Sequence, residues 1–208
     1  MSQAIVIEGL NDATQQAPVT VIEAPASATR NEASNSLTEL IDAGLHSVDR
    51  ALRLRIAHGQ PALKGFINLD GAPTAHPSAT AHCSYNELVF PEASVDALRI
   101  DQVLETLPLV QALGYLIRWQ RWLKPGGTLV VACTDIESCA RMLLARKDPN
   151  REQAAISQLF GEGTHAHQDG WYRGKLRRVL VGFGFNIESI QSASNAKHLV
   201  EVSAVKGD

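Results

Sequence analysis

The chain has 208 residues, of which 45% are hydrophobic, and its formal net charge is −3. This length suits one α/β domain with an appendage, and the apolar fraction is sufficient for an ordinary core. Acidic and basic residues are mixed along the sequence, so no nucleic-acid-binding surface is predicted, and no apolar run is long enough for a membrane span. We therefore expect a soluble, cytoplasmic protein.

The first 34 residues are predicted to form a flexible N-terminal arm, and residues 35–208 are predicted to form one domain. The arm is rich in Ala, Thr, Gln, Asn, Pro and Ser, and it contains two short β-prone pieces, Ala4–Glu8 and Val19–Glu23. It could form a hairpin, or it could pack against a second copy of the chain or a partner protein. A capping box formed by Ser36 and Glu39 then predicts a helix that ends near Asp49.

Strands and helices alternate over the rest of the chain. The predicted strands are Leu52–Ala57, Phe66–Asp70, Ala79–Ser84, about Ala97–Ile100, Thr128–Cys133, Phe185–Ile190 and His198–Ala204. The predicted helices are about Gln102–Leu123, bent or restarted at Pro108, then Ile136 to about Arg146, 151–160 and Tyr172–Val181. This order predicts an α/β fold with a doubly wound, mostly parallel seven-stranded sheet and an antiparallel C-terminal strand.

Asp70 is the candidate functional residue that the residue pattern singles out first. It ends a buried-looking strand, and Gly71 and Pro73 break the chain directly after it. Ligands of parallel α/β sheets bind beyond the carboxyl ends of the strands, where an acid can hold ribose hydroxyls. Asp70 is therefore either a ribose ligand or a residue of the turn that ends the strand. No G-x-G-x-x-G follows the first strand, so a dinucleotide site is disfavoured.

Five weak motifs occur in one order along the chain. They are "RIAHGQPALKGFINLD", "LVFPEASVD", "QVLETL", "LKPGGTLVV" and "LFGEGTHAHQDGW". Together they make the segment from Arg53 to Val205 resemble the Rossmann-like S-adenosylmethionine (SAM)-dependent methyltransferases. The resemblance is greatest to a subgroup linked to the biosynthesis of polysaccharides and glycans. It implies SAM as the cofactor and O-methylation of a sugar, a glycan or another small hydroxyl acceptor.

The resemblance also implies roles for individual residues. Asp70 would bind the ribose, and Ile100 would lie beside the methyl group. The full set of implied cofactor-binding residues is Ala57, His58, Gly59, Asp70, Cys83, Ser84 and Ile100. His167 is the implied catalytic base, and Asp101 is the second candidate. No metal site is expected, because the spacing of His76, His82 and Cys83 matches no compact ligand pattern, and the pair His165 and His167 lies in a flexible glycine loop with no nearby cysteine or clustered acid.

The first cofactor loop departs from the family pattern at two positions. Ala57 stands where the family has a glycine, and His58 is larger than the usual residue. This degenerate loop leaves a second hypothesis open, in which the chain is a catalytically inactive methyltransferase-like protein that acts as a structural or regulatory partner in an assembly.

Overall fold

A computed structural model describes residues 4–6, 20–23, 51–72, 76–82, 84–86, 88–145, 148–193 and 196–208, with the backbone alone in the first two ranges. Its strands are β1 (Ala4–Val6), β2 (Thr20–Glu23), β3 (Arg53–Ala57), β4 (Ile67–Asp70), β5 (Ala81–His82), β6 (Val95–Asp101), β7 (Leu123–Thr134), β8 (Phe185–Ala193) and β9 (Ala196–Lys206). Its helices are α1 (Leu109–Trp122), α2 (Ile136–Leu144), α3 (Pro149–Phe160) and α4 (Arg173–Gly182).

The main sheet has seven strands in the order β5-β4-β3-β6-β7-β9-β8. The pairs β4–β5, β3–β4, β3–β6 and β6–β7 are parallel, whereas β9 pairs antiparallel with both β7 and β8. The predicted α/β fold with an antiparallel C-terminal strand is therefore confirmed. Within the described ranges, no helix is both long and apolar enough to cross a bilayer.

One face of the sheet carries rows of apolar side chains that run across four strands. The register aligns Leu54, Leu98, Leu129 and Ala204, and the next row aligns Ile56, Ile100, Val131 and Val202. Every one of these side chains is buried. Because alternate residues of a strand point to opposite faces, this pattern places the main hydrophobic core on a single side of the sheet.

The opposite face carries a charged network near the middle of the sheet. Arg55 Nε lies 2.5 Å from Asp101 Oδ2, and Arg99 Nε lies 2.8 Å from Asp101 Oδ1. Arg99 also reaches across β7 to Glu201, at 2.8 Å. Asp101 and Arg55 are buried, so each needs the other as a compensating charge.

The structure differs from the predicted elements between β6 and β7. No helix begins at Gln102, because this residue has a positive φ of 55°, and a short 3-10 turn at Leu104–Thr106 follows instead. Pro108 precedes the first residue of α1, which confirms a restarted helix, since proline fixes φ and lacks an N–H. Residues 124–127 lie between two paired parts of β7, opposite a break in register on β6.

Three other predictions concern the third strand, the N-terminal arm and the helix over 36–49. The third strand is confirmed only at β5, which is shorter than predicted. The two β-prone pieces of the arm pair antiparallel as β1 and β2, so the arm contains the pairing expected of a hairpin. The helix predicted over 36–49 lies outside the described residues.

Candidate functional site

The loops that follow β3 and β6 face each other at the carboxyl edge of the sheet. β3 and β6 are neighbours, and the chain proceeds from β3 toward β4 and β5 but from β6 toward β7. This change of direction is a topological switch point, where open α/β sheets bind their ligands. The last register row there aligns Asp70, Ala57 and Asp101 on three adjacent strands. Three of the residues that the sequence motifs imply, Ala57, Asp70 and Asp101, therefore lie side by side at one edge.

The Asp70 carboxylate is held by three backbone N–H groups. Oδ1 accepts from Gly59 N and Ala72 N, both at 2.9 Å, and Oδ2 accepts from His76 N at 2.8 Å. The residue is 1% exposed. A carboxylate offers about four lone-pair positions, so Asp70 has one left for a further donor. Asp70 thus ties the loop after β3 to the loop after β4.

Gly59 is covered by a ring from a segment far along the chain. Its φ is +67°, and a Cβ built on it would lie 2.6 Å from His165 Cε1. The His165 ring also meets the His58 ring edge-on, with 4.6 Å between centroids. The structure thereby joins the loop that follows β3 to the histidine loop of residues 161–170.

Gly71 is covered in the same manner by Tyr85. A Cβ at Gly71 would clash with the Tyr85 ring, so only glycine fits there. The Tyr85 hydroxyl donates to the Ala57 carbonyl at 3.0 Å and lies 3.1 Å from His58 Nδ1. The backbone just beyond β3 and β4 therefore contacts two aromatic rings of the chain itself.

Asp101 and its neighbour Gln102 lie on the other side of the switch point. The Asp101 carboxylate has two guanidinium partners, those of Arg55 and Arg99. Gln102 has a positive φ, which is uncommon for a residue other than glycine and concentrates at functional sites. Its Oε1 accepts from Gln60 Nε2 at 2.9 Å, so an amide pair bridges the loops after β3 and β6.

His167 lies in the histidine loop, with its ring directed toward α3. Its Nδ1 is 3.1 Å from the Leu159 carbonyl, and a carbonyl only accepts, so Nδ1 carries the hydrogen and Nε2 the lone pair. Burial lowers the pKa of His167 below the ordinary histidine value, although the Leu159 bond acts in the opposite direction. His167 is therefore a neutral imidazole at pH 7 with Nε2 as its basic atom.

Glu105 is a buried acid that the sequence motifs did not single out. It is 1% exposed, and Oε1 accepts from Thr134 N at 2.9 Å, whereas Oε2 has no hydrogen-bond partner among the residues that the structure describes. Burial raises its pKa to about 7. Its backbone carbonyl accepts from Gln168 N at 2.7 Å and from Asp169 N at 3.3 Å. Glu105 thus anchors the second half of the histidine loop. The only sequence signal was an acid between the apolar residues of "VLETL".

The structure says less about the roles of the other implied residues, Ile100, Ser84 and Cys83. Ile100 is fully buried in the apolar row, so its side chain belongs to the core. Ser84 is exposed and precedes Tyr85, and Cys83 lies outside the described residues. Among the residues that the structure describes, no group of three or more His, Cys, Asp or Glu side chains could hold a metal ion.

No family model matches the sequence, and no curated protein matches it. Solved structures do share its fold. A SAM-dependent methyltransferase from Mesorhizobium loti has a TM-score of 0.51 and 16% identity, over 81% of this chain and 97% of that one. The 1,6-didemethyltoxoflavin-N1-methyltransferase of Burkholderia thailandensis, crystallised with its didemethyltoxoflavin and S-adenosylhomocysteine (SAH), has a TM-score of 0.50 and 14% identity, over 95% and 99%. The chain therefore has the Rossmann-like fold found in these SAM-dependent methyltransferases.

Proposed function

We propose that the chain binds SAM and transfers its methyl group to a hydroxyl of a small acceptor, a sugar or a glycan intermediate. The observation that carries this proposal is the row of Asp70, Ala57 and Asp101 at the switch-point edge. In this fold, that edge is the general ligand position. The glycan acceptor class rests on the order of the sequence motifs.

The residues at this edge fit a nucleoside cofactor in kind. Gly59 has no side chain and Ala57 has a small one, which suits a close approach to the backbone once the His165 ring moves away. Asp70 is buried in this conformation, and beyond its three N–H donors its carboxylate has one acceptor position that a ribose hydroxyl would take. When bound, SAM supplies an electrophilic methyl carbon and a neutral thioether leaving group. The chain itself then has to orient the acceptor oxygen and exclude water, and such positioning can supply much of the rate acceleration.

His167 is the proposed general base. The Leu159 carbonyl fixes Nδ1 as the protonated nitrogen, which leaves the Nε2 lone pair to take the proton of the acceptor hydroxyl. A lowered pKa keeps this nitrogen unprotonated at neutral pH. Asp101 is the weaker candidate because of its two arginine partners.

Calorimetric titration with SAM and SAH tests the proposal. Wild type should bind at micromolar strength, and Asp70→Asn should bind at least about tenfold more weakly, which is about 1.4 kcal/mol. Asp96→Asn is the matched control, because Asp96 also accepts a backbone N–H, from Leu52 at 2.7 Å, but lies at the other end of β6. No binding at millimolar ligand would refute the proposal.

Acceptor identity is tested separately, by SAH release in the presence of a panel of sugars. His167→Ala should reduce the turnover of any accepted sugar by about 10²- to 10⁴-fold while leaving the SAH affinity unchanged. An equal loss of SAH affinity would instead place His167 in cofactor binding.

A second function is favoured by the same edge. Three N–H groups already occupy Asp70, and rings cover Gly59 and Gly71. These contacts suit a methyltransferase-like protein without catalysis, which acts as a structural or regulatory partner, with the N-terminal arm as its contact to another copy or another protein. Absence of SAM and SAH binding, together with a stable fold, would favour this alternative.

A further inference from the structure

The contact between His165 and Gly59 excludes any ligand from that part of the edge. A Cβ built on Gly59 would lie 2.6 Å from His165 Cε1 and 3.1 Å from Nε2. Because the space between Gly59 and the His165 ring is too small for a methyl group, no ligand atom fits there either. A ligand that approaches the Gly59 backbone therefore has to displace the His165 ring.

The histidine loop is attached to the protein body differently in its two halves. Gln168 N and Asp169 N donate to the Glu105 carbonyl, and Gln168 Nε2 donates to the Thr106 carbonyl at 2.9 Å. Asp169 also pairs with Lys175, at 2.5 Å. The second half is thus tied to the 3-10 turn that follows β6 and to α4.

The first half has local backbone attachments. His165 N donates to the Glu162 carbonyl, within the loop itself. Gly161 and Gly163 both have a positive φ, at 67° and 55°. Glycine tolerates large changes of φ and ψ at low cost, so residues 162–166 can move while the anchors of the second half remain intact.

We propose that residues 162–166 form a lid, whose His165 ring closes the switch-point crevice over Gly59 in the ligand-free protein and swings away when SAM or SAH binds. This inference rests on the proposed function. The ring is then a competitor of the ligand, and the affinity of the chain is reduced by the fraction of molecules with the lid closed.

Hydrogen exchange of the ligand-free protein tests the lid without any cofactor. His165→Ala removes the ring contact, so amides of 162–166 should exchange at least about fivefold faster than in wild type. Amides of 168–170 should be unchanged, since the Glu105 carbonyl still holds them. His198→Ala, a half-buried histidine on β9, is the matched control and should leave both segments unchanged. Unchanged exchange of 162–166 in His165→Ala overturns the lid.

Titration with SAH then tests what the lid closes. His165→Ala should bind SAH about tenfold more tightly than wild type, because it has no ring to displace. Equal or weaker binding by His165→Ala overturns the lid but leaves the proposed function standing. Faster exchange with no SAH or SAM binding by either protein overturns the proposed function, and with it the role of the lid as a gate.

Discussion

Glu105 makes the stability of this protein depend on pH in a direction opposite to that of most acids. Burial raises its pKa from an ordinary 4.5 to about 7. Between these two values the folded chain keeps a proton that the unfolded chain releases. The contribution of Glu105 to the free energy of unfolding therefore falls as pH rises through this window, is largest below pH 4.5, and is lost above pH 7.

The size of this loss follows from the two pKa values. A difference of about 2.5 units, at 1.36 kcal/mol each, corresponds to about 3 kcal/mol. Glu105→Gln keeps an oxygen for Thr134 N and cannot ionise. Relative to this variant, wild type should lose about 3 kcal/mol of unfolding free energy between pH 4 and pH 8.

Urea unfolding followed by tryptophan fluorescence measures this difference, because Trp171 is fully buried. The comparison is made between wild type and Glu105→Gln at each pH, so that the titration of other acids cancels. Glu137→Gln, an exposed acid on α2, is the control, and its difference from wild type should vary little with pH. A constant difference between wild type and Glu105→Gln would show that Glu105 titrates as an ordinary acid, and would refute the reasoning.

Three further changes test single contacts by the same unfolding measurement at pH 7. Asp70→Ala leaves three backbone N–H groups without their acceptor, so we expect the free energy of unfolding to fall by at least about 3 kcal/mol. A fall of less than about 1 kcal/mol would contradict the described hydrogen bonds. Arg55→Met leaves the buried Asp101 with one arginine and should cost about 3 kcal/mol, and a neutral effect would show that Arg99 alone suffices. Ala93→Gly should stabilise by about 0.5–1 kcal/mol, because Ala93 has a φ of 52°; a destabilised variant would contradict this.

Much of the fold could be predicted because its strands are buried on an apolar face. The segment Leu52–Ala57 alternates apolar and charged residues, and the run Thr128–Cys133 is continuously apolar after Thr128 and rich in β-branched residues, so both are recognisable as strands from the sequence. The helix predicted from Gln102 was wrong at its start. Its apolar spacing does not show that Gln102 turns away with a positive φ, or that the residues before Pro108 form a separate turn.

The edge at which the candidate site lies follows from the predicted strands, whereas the contacts there do not. Strand-end residues such as Ala57 and Asp70 had to meet at one edge once the strands were parallel neighbours. That the Asp70 carboxylate binds backbone N–H groups depends on the path of two loops, which no local pattern encodes. The packing of His165 on Gly59 joins segments far apart in the chain, so only the tertiary structure reveals it.

The position of β9 has a consequence for how the chain folds during synthesis. β9 follows all the other strands in sequence, yet it lies inside the sheet between β7 and β8. Until it leaves the ribosome, β7 has an open edge and β8 has no neighbour. Open strand edges pair readily with other chains. The nascent protein is therefore most exposed to aggregation just before residues 196–206 emerge, and a chaperone that shields the β7 edge would act at that moment.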